Sequence, residues 1–186
     1  NSRDTVIPDI PQHAQMCIDA GADGITVHPR PDQRHIRADD CRDLAAMLKV
    51  EFNIEGNPFA PARASDRSGV SDYPGFMELV QELRPTQCTL VPDGDAQLTS
   101  DHGFDLHKQA KDLAPILTQL KDWGVRSSLF MDPDPEQMAI AADIGADRIE
   151  LYTERYAVAF ATNSSVDACY GEFRDTAEAA LAANLG

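Results

Sequence analysis

AGADGITVH, Ala20 to His28, holds a helix stop, a turn and a strand start in one short stretch. Gly21 suits the left-handed conformation that closes many helices, and Ile25, Thr26 and Val27 are β-branched residues that favour a strand. The arrangement returns as IGADRIELY at 144–152, and its Gly-then-strand half returns as WGVRSSLFMD at 123–132. A helix that ends on Gly and feeds a short apolar run is the punctuation of an αβ unit, here repeated.

Extended outward, the same punctuation predicts helices over about 9–20, 38–48, 74–83, 105–123, 135–144 and 166–184. Strands are predicted over 24–28, 50–54, 87–91, 126–131 and 147–151. Leu106, Ala110, Leu113, Leu117 and Leu120 recur at helical spacing and form one apolar face. Pro115 in that segment predicts a kink or a restart. Asp134, Pro135 and Gln137 offer an N-cap, a first-turn proline and an N3 amide to the next helix.

The strands read as short and mostly apolar on both faces, the pattern of a parallel sheet covered by helices. The candidates are a doubly wound sheet and a (β/α)8 barrel. No GxGxxG or P-loop glycine run follows a strand. Polar residues gather instead at successive strand ends, where barrel enzymes build their sites, which favours the barrel. A complete barrel takes about 200–250 residues. The expectation is therefore one α/β domain over 1–186, an incomplete TIM barrel of about five parallel strands with covering helices. The stretch NPFAPARASDRSGVSDY, 57–73, is an extended loop: a lid, an interface element or disorder.

Sixteen Lys and Arg face 31 Asp and Glu, a formal charge of −15. That balance argues against nucleic-acid or anionic-membrane partners. It leaves room for a small phosphorylated substrate, because screening confines charge effects to about 8 Å and a local cationic pocket still works. Cys17, Cys41, Cys88 and Cys169 are scattered without metal-ligand spacing and read as reduced, mostly buried thiols of a cytoplasmic protein. No apolar run approaches the ~20 residues of a membrane span. The start at Asn1 and the stop at Gly186 read as cut ends.

The candidate chemistry lies at the strand ends. His28 closes its strand, and Arg30, Arg34 and His35 follow it. Together they offer charge-assisted donors and an imidazole that titrates near neutrality. The bland alternative is an exposed ion-pair cluster of Arg30, Asp32 and Arg34 beside a satisfied His28. The pattern lacks the HxH spacing of metal-dependent hydrolase barrels, so no metal is expected. Glu55 ends the next strand in NIEG, where apolar neighbours can raise its pKa and suit it to acid–base work; a structural capping carboxylate is the alternative. Glu150 interrupts the apolar run of RIELY, and an ion pair with Arg148 or Arg155 would explain it without function. Segment 90–105, LVPDGDAQLTSDHGFD, reads as a mobile loop that brings hydroxyls, Thr99 among them, near the same rim. Arg3 could reach a phosphate if a strand ends just before Asn1.

GADGITVHPRPDQRHI, FNIEGNP, CTLVPDGDAQLTSDHGFD, SSLFMDPDPEQ and GADRIELYT resemble the pyridoxine 5′-phosphate synthase family, and the resemblance runs over nearly the whole chain. It implies a cytoplasmic TIM barrel, assembled as a homo-oligomer (an octamer in the family), with neither metal nor organic cofactor. It implies condensation of 1-deoxy-D-xylulose 5-phosphate with 3-amino-2-oxopropyl phosphate into pyridoxine 5′-phosphate, phosphate and water. By motif, His28 and Glu55 would be acid–base residues, and Glu150 would stabilise charge in a later step. Arg30, His35 and Thr99 would hold the deoxyxylulose phosphate and Arg3 the phosphate of the amino ketone.

The chain departs from the family pattern in four places. The Asn-x-Asp-His motif of the first strand is absent before Arg3. The last two strands, with a Gly-His-Gly acid and a glycine-rich phosphate site, are absent after Gly186. Loop 57–73 is longer than in some members, and Tyr152 and Glu154 stand where some have His and Gly. The expectation is an internal fragment, inactive and poorly stable alone because strand edges stay open. Two other readings stand beside it: a different phosphosugar lyase or isomerase, and a non-catalytic truncated phosphate-binding module.

Overall fold

Alternation within the strands decides which way the sheet faces. In β2 (Glu51–Gly56), Phe52 and Ile54 are buried in the core, while Asn53 and Glu55 point to the opposite, less enclosed side. The other strands are β1 (Gly24–Val27), β3 (Gln87–Leu90), β4 (Arg126–Met131) and β5 (Arg148–Leu151). The computed structural model describes residues 9–94, 97 and 99–186.

All neighbouring strands are parallel, and their order in the sheet is the order in the chain, β1-β2-β3-β4-β5. A doubly wound sheet reverses its order at a switch point, and this one does not. The sheet is a singly wound arc, as in part of a (β/α)8 barrel, and it does not close on itself. The helices are α1 (Ile10–Asp19), α2 (Ala38–Met47), α3 (Phe76–Leu83), α4 (Leu106–Asp122), α5 (Met138–Asp143), α6 (Glu154–Thr162) and α7 (Val166–Ala182). Leu44, Leu79, Val80, Leu113, Leu117 and Leu120 from these helices meet Phe52, Ile54, Cys88, Leu90 and Leu129 from the strands in one core.

Four sequence expectations need correction. The strands are not apolar on both faces: Thr26, Asn53, Glu55, Gln87, Thr89, Arg126, Ser128, Arg148 and Glu150 share the inner side by register. Hydrogen bonds make this possible. Asn53 donates to Thr89 at 3.1 Å, and Arg126 donates to Gln87 at 2.9 Å and to both carboxylate oxygens of Glu51. Second, α4 does not restart at Pro115 but continues through it. Third, the helix predicted over 135–144 starts as a 3-10 turn, Pro135–Gln137, capped by the Asp134 side chain, before α5 begins. Fourth, α6 has no counterpart among the predicted helices; Tyr156 to Ala161 are apolar at consecutive positions, which gives no helical period to read, and none of its residues is buried.

The loop at 57–73 is ordered. Arg63 and Tyr73 pair backbone to backbone in both directions, at 2.8 and 2.9 Å, and Tyr73 is buried. Gln33 donates to the Ser71 carbonyl at 2.7 Å, Arg67 donates to the Gln33 carbonyl at 3.0 Å, and the Ser71 hydroxyl reaches Asp39. The loop thus packs against the segment between β1 and α2. Of the cysteines, Cys41, Cys88 and Cys169 are buried thiols, whereas Cys17 is exposed. Among the described residues no helix is long and apolar enough to cross a membrane.

Two glycines give opposite predictions. A Cβ on Gly103 would strike the backbone of Met131 and Asp132, which cannot rotate away. Gly103→Ala should destabilise by about 1–3 kcal/mol. Gly171 lies inside α7 with nothing near its missing Cβ, so Gly171→Ala should stabilise by about 0.5–1 kcal/mol. Urea unfolding of both variants checks the pair, and Gly103→Ala matching wild type would refute the packing argument.

Candidate active site

His28 follows directly on Val27, whose partner across the sheet is Ile54, so the register carries His28 toward the level of Glu55. Beyond it the chain folds back so that Pro29 bridges to Ile36. That return brings His35 beside His28 and Arg30. Together with Thr26, Val27, Ile36, Asp93, Thr99 and Ser100, these residues line a cleft of about 360 Å³, within the usual range for small-ligand sites.

The loop after β3 closes one wall of this cleft. Arg30 is buried, and its guanidinium donates to the carbonyl of Gln97 at 2.6 Å, to the carbonyl of Gly94 at 3.4 Å and to Asp93 at 3.4 Å. Arg34 donates to the same Gln97 carbonyl at 3.0 Å. Asp93 accepts from the Ser100 hydroxyl at 2.8 Å, and Asn57 donates to its carbonyl at 2.7 Å. The arginines are not a loose surface cluster: they hold the segment that carries Thr99.

Burial and charge tune the acids and the base. Desolvation pushes the Glu55 carboxyl up to about 7, with the nearby carboxylates of Glu150 and Asp93 adding to the shift. Glu150 is also raised by desolvation, although its strand position is open to solvent on the inner side. It has no arginine partner among the described residues: Arg155 pairs with Glu172 at 3.0 Å, and Arg148 donates to Gln87. Desolvation lowers the His28 pKa, the charge of Asp93 opposes that, and Arg30 adds to it. The outcome is an acid that ionises near neutrality and an imidazole held neutral there, which suits proton transfer.

A family description, pyridoxal phosphate biosynthesis protein PdxJ, matches residues 1–186. This chain belongs to the PdxJ family. Its PdxJ relatives include the pyridoxine 5′-phosphate synthase of Xanthomonas axonopodis pv. citri, 54% identical over all of this chain and 71% of that protein. The pyridoxine 5′-phosphate synthase of Xylella fastidiosa is 51% identical over all of this chain and 70% of its own length. A crystal structure of D-psicose 3-epimerase aligns with a TM-score of 0.47 and 12% identity, over 80% of this chain and 57% of that one. PdxJ proteins are biosynthetic enzymes, so this site belongs to an enzyme.

The structure brings His28, Arg30, His35 and Thr99 around one cleft, with Glu55 on the adjoining strand. Glu150 stands on β5, across the same inner face. Arg3 lies outside the described residues. Sequence reasoning missed Asp93, Asn53 and Ser100. Asn53 sits two residues before Glu55 on the same face and had a readable signal in that period. Asp93 read as an ordinary turn residue. Among the described residues no three His, Cys, Asp or Glu side chains gather as metal ligands.

Proposed function

We propose that this chain carries the proton-transfer and phosphate-holding part of a pyridoxine 5′-phosphate synthase site. The reaction joins 1-deoxy-D-xylulose 5-phosphate to 3-amino-2-oxopropyl phosphate and releases phosphate and water. Forming an imine, losing water, expelling phosphate and closing the ring all require protons moved on and off carbon, nitrogen and oxygen. Glu55 and His28 move them, and Glu150 steadies charge that builds late in the sequence. Arg30, His35 and Thr99 hold the sugar phosphate, and Arg3 holds the phosphate of the amino ketone.

The observation that carries this reading is the Glu55 carboxyl, which changes charge at about pH 7 beside a cleft lined by His28 and Arg30. Near neutrality it can both accept and return a proton, and a group so poised contributes about 10²–10⁴-fold to rate. The Arg30 hydrogen bonds to Gly94 and Gln97 fit the same reading, since a guanidinium that fixes the loop also fixes Thr99 within it. The reading extends to a cytoplasmic homo-oligomer acting on small phosphorylated substrates.

The test is formation of pyridoxine 5′-phosphate by the full-length protein carrying this sequence. Product should require both substrates and appear with an equal amount of inorganic phosphate. A folded protein that turns over another phosphosugar and makes no ring would move the site to a different lyase or isomerase.

A further inference from the structure

Asp93 is the buried ionic group at the cleft that the roles above leave unused. Its side chain is 5% exposed. One carboxylate oxygen, Oδ2, accepts from Arg30 and Ser100 and faces the Nε2 of His28 at 3.9 Å, too long for a hydrogen bond but close for a charge. The other, Oδ1, is buried and has no hydrogen-bond partner among the described residues. A buried carboxylate with one unmet oxygen is costly, and a fold keeps it where the charge does something.

We propose that Asp93 is a positioning residue for His28 and Arg30. The inference rests on the site reading above. Two functions follow from one carboxylate. Through Oδ2 it sets the direction of the Arg30 guanidinium and, through Ser100, the end of the loop that bears Thr99. Through its charge it keeps His28 able to take up a proton that burial and Arg30 would otherwise deny it. Among the described residues, Arg30 and Asp93 act on His28 by charge, His35 lines the same cleft, and Glu55 stands on the neighbouring strand. Among them Asp93 is the carboxylate whose charge raises the His28 pKa.

The experiment uses the full-length protein and has two arms. In the first, the His28 ring is titrated by NMR without substrate, its signal assigned by its loss in His28→Gln. Asp93→Asn, which keeps shape and removes charge, should lower the His28 titration by about one unit. Asp93→Glu should restore it to within a few tenths of a unit. An unchanged titration in Asp93→Asn overturns the proposal, and so does an equal shift in both variants, since packing would then be the cause.

In the second arm, the limb of the kcat/KM profile that follows His28 should move to lower pH with the NMR value, and kcat/KM at pH 7 should fall about tenfold. Failure of the synthase assay alone removes the reading of function and leaves the NMR arm to decide on Asp93. Should Asp93→Asn fail to fold, Ser100→Ala takes its place, since it deletes one hydrogen bond to Oδ2 and leaves the buried pair. It should lower kcat about threefold at constant KM, as about 0.7 kcal/mol of lost orientation would, and an unchanged kcat overturns the proposal.

Discussion

Glu55→Gln is expected to lower kcat of the full-length protein by about 10²–10⁴-fold while making the protein harder to unfold at pH 8. The two effects share one cause. In the folded chain the carboxyl ionises at about 7, against an ordinary 4.5. Between those values the folded state keeps a proton that the unfolded state has released, so stability falls as pH rises through the window. Above about 7 the full penalty is present, and below 4.5 it vanishes. A shift of this size corresponds to about 3 kcal/mol, an upper figure for a group that is not fully buried. Glutamine has nothing to ionise. The variant should match wild type in stability near pH 4 and exceed it near pH 8, while losing the proton carrier. Denaturant unfolding at both pH values, run beside the synthase assay, decides the matter. Equal loss of stability at both would mean that the glutamine amide fits the site poorly and that desolvation of the carboxylate is not what sets the stability there.

That coupling of strain to function bears on what a sequence can reveal. Gly21, Gly124 and Gly145 take positive φ where they close helices, and the strands start close behind them. Such signals are local, and so the alternation of helices and strands was legible. The inner face was not. The two-residue period puts Asn53 and Glu55 on one face, but which side chains meet them there depends on how β2 aligns with β1 and β3, which adjacent residues do not encode. Arg126 finds Glu51 across 75 positions, and Arg30 finds Asp93 across 63. These partners turn apparently isolated charges into pairs. Loop 57–73 was ambiguous for a related reason, because its order comes from backbone pairing at Arg63 and Tyr73 and not from its polar composition. At the site, His28, Arg30, His35 and Thr99 stood out as residue types suited to phosphate and proton transfer. Their hydrogen-bond partners did not, since carbonyls of Gly94 and Gln97 have no signature in a sequence.

Arg30→Met should be the most destabilising single change at the site, at about 3–5 kcal/mol, because it leaves the Asp93 carboxylate buried without its cation. Methionine fills much of the same volume, so little of the loss comes from packing. The charge is what goes, together with donors to two carbonyls. Arg34 still holds the Gln97 carbonyl, so the loop should loosen at Gly94 and Asp93 before it detaches at Gln97. The His28 pKa should rise, since Arg30 depresses it and Asp93 would act unopposed. Arg30→Lys separates charge from shape. One ammonium can meet the carboxylate but cannot span it and two carbonyls at once, so stability should return in part and Thr99 should stay misplaced.

The sharper test is the double variant with Asp93→Asn. If the pair is the buried ionic unit described here, removing both charges should cost less than the two losses added together, by about 1–3 kcal/mol. Additive losses would mean that Arg30 acts on the loop carbonyls alone. Its role would then be to shape the phosphate site, with His28 governed from elsewhere.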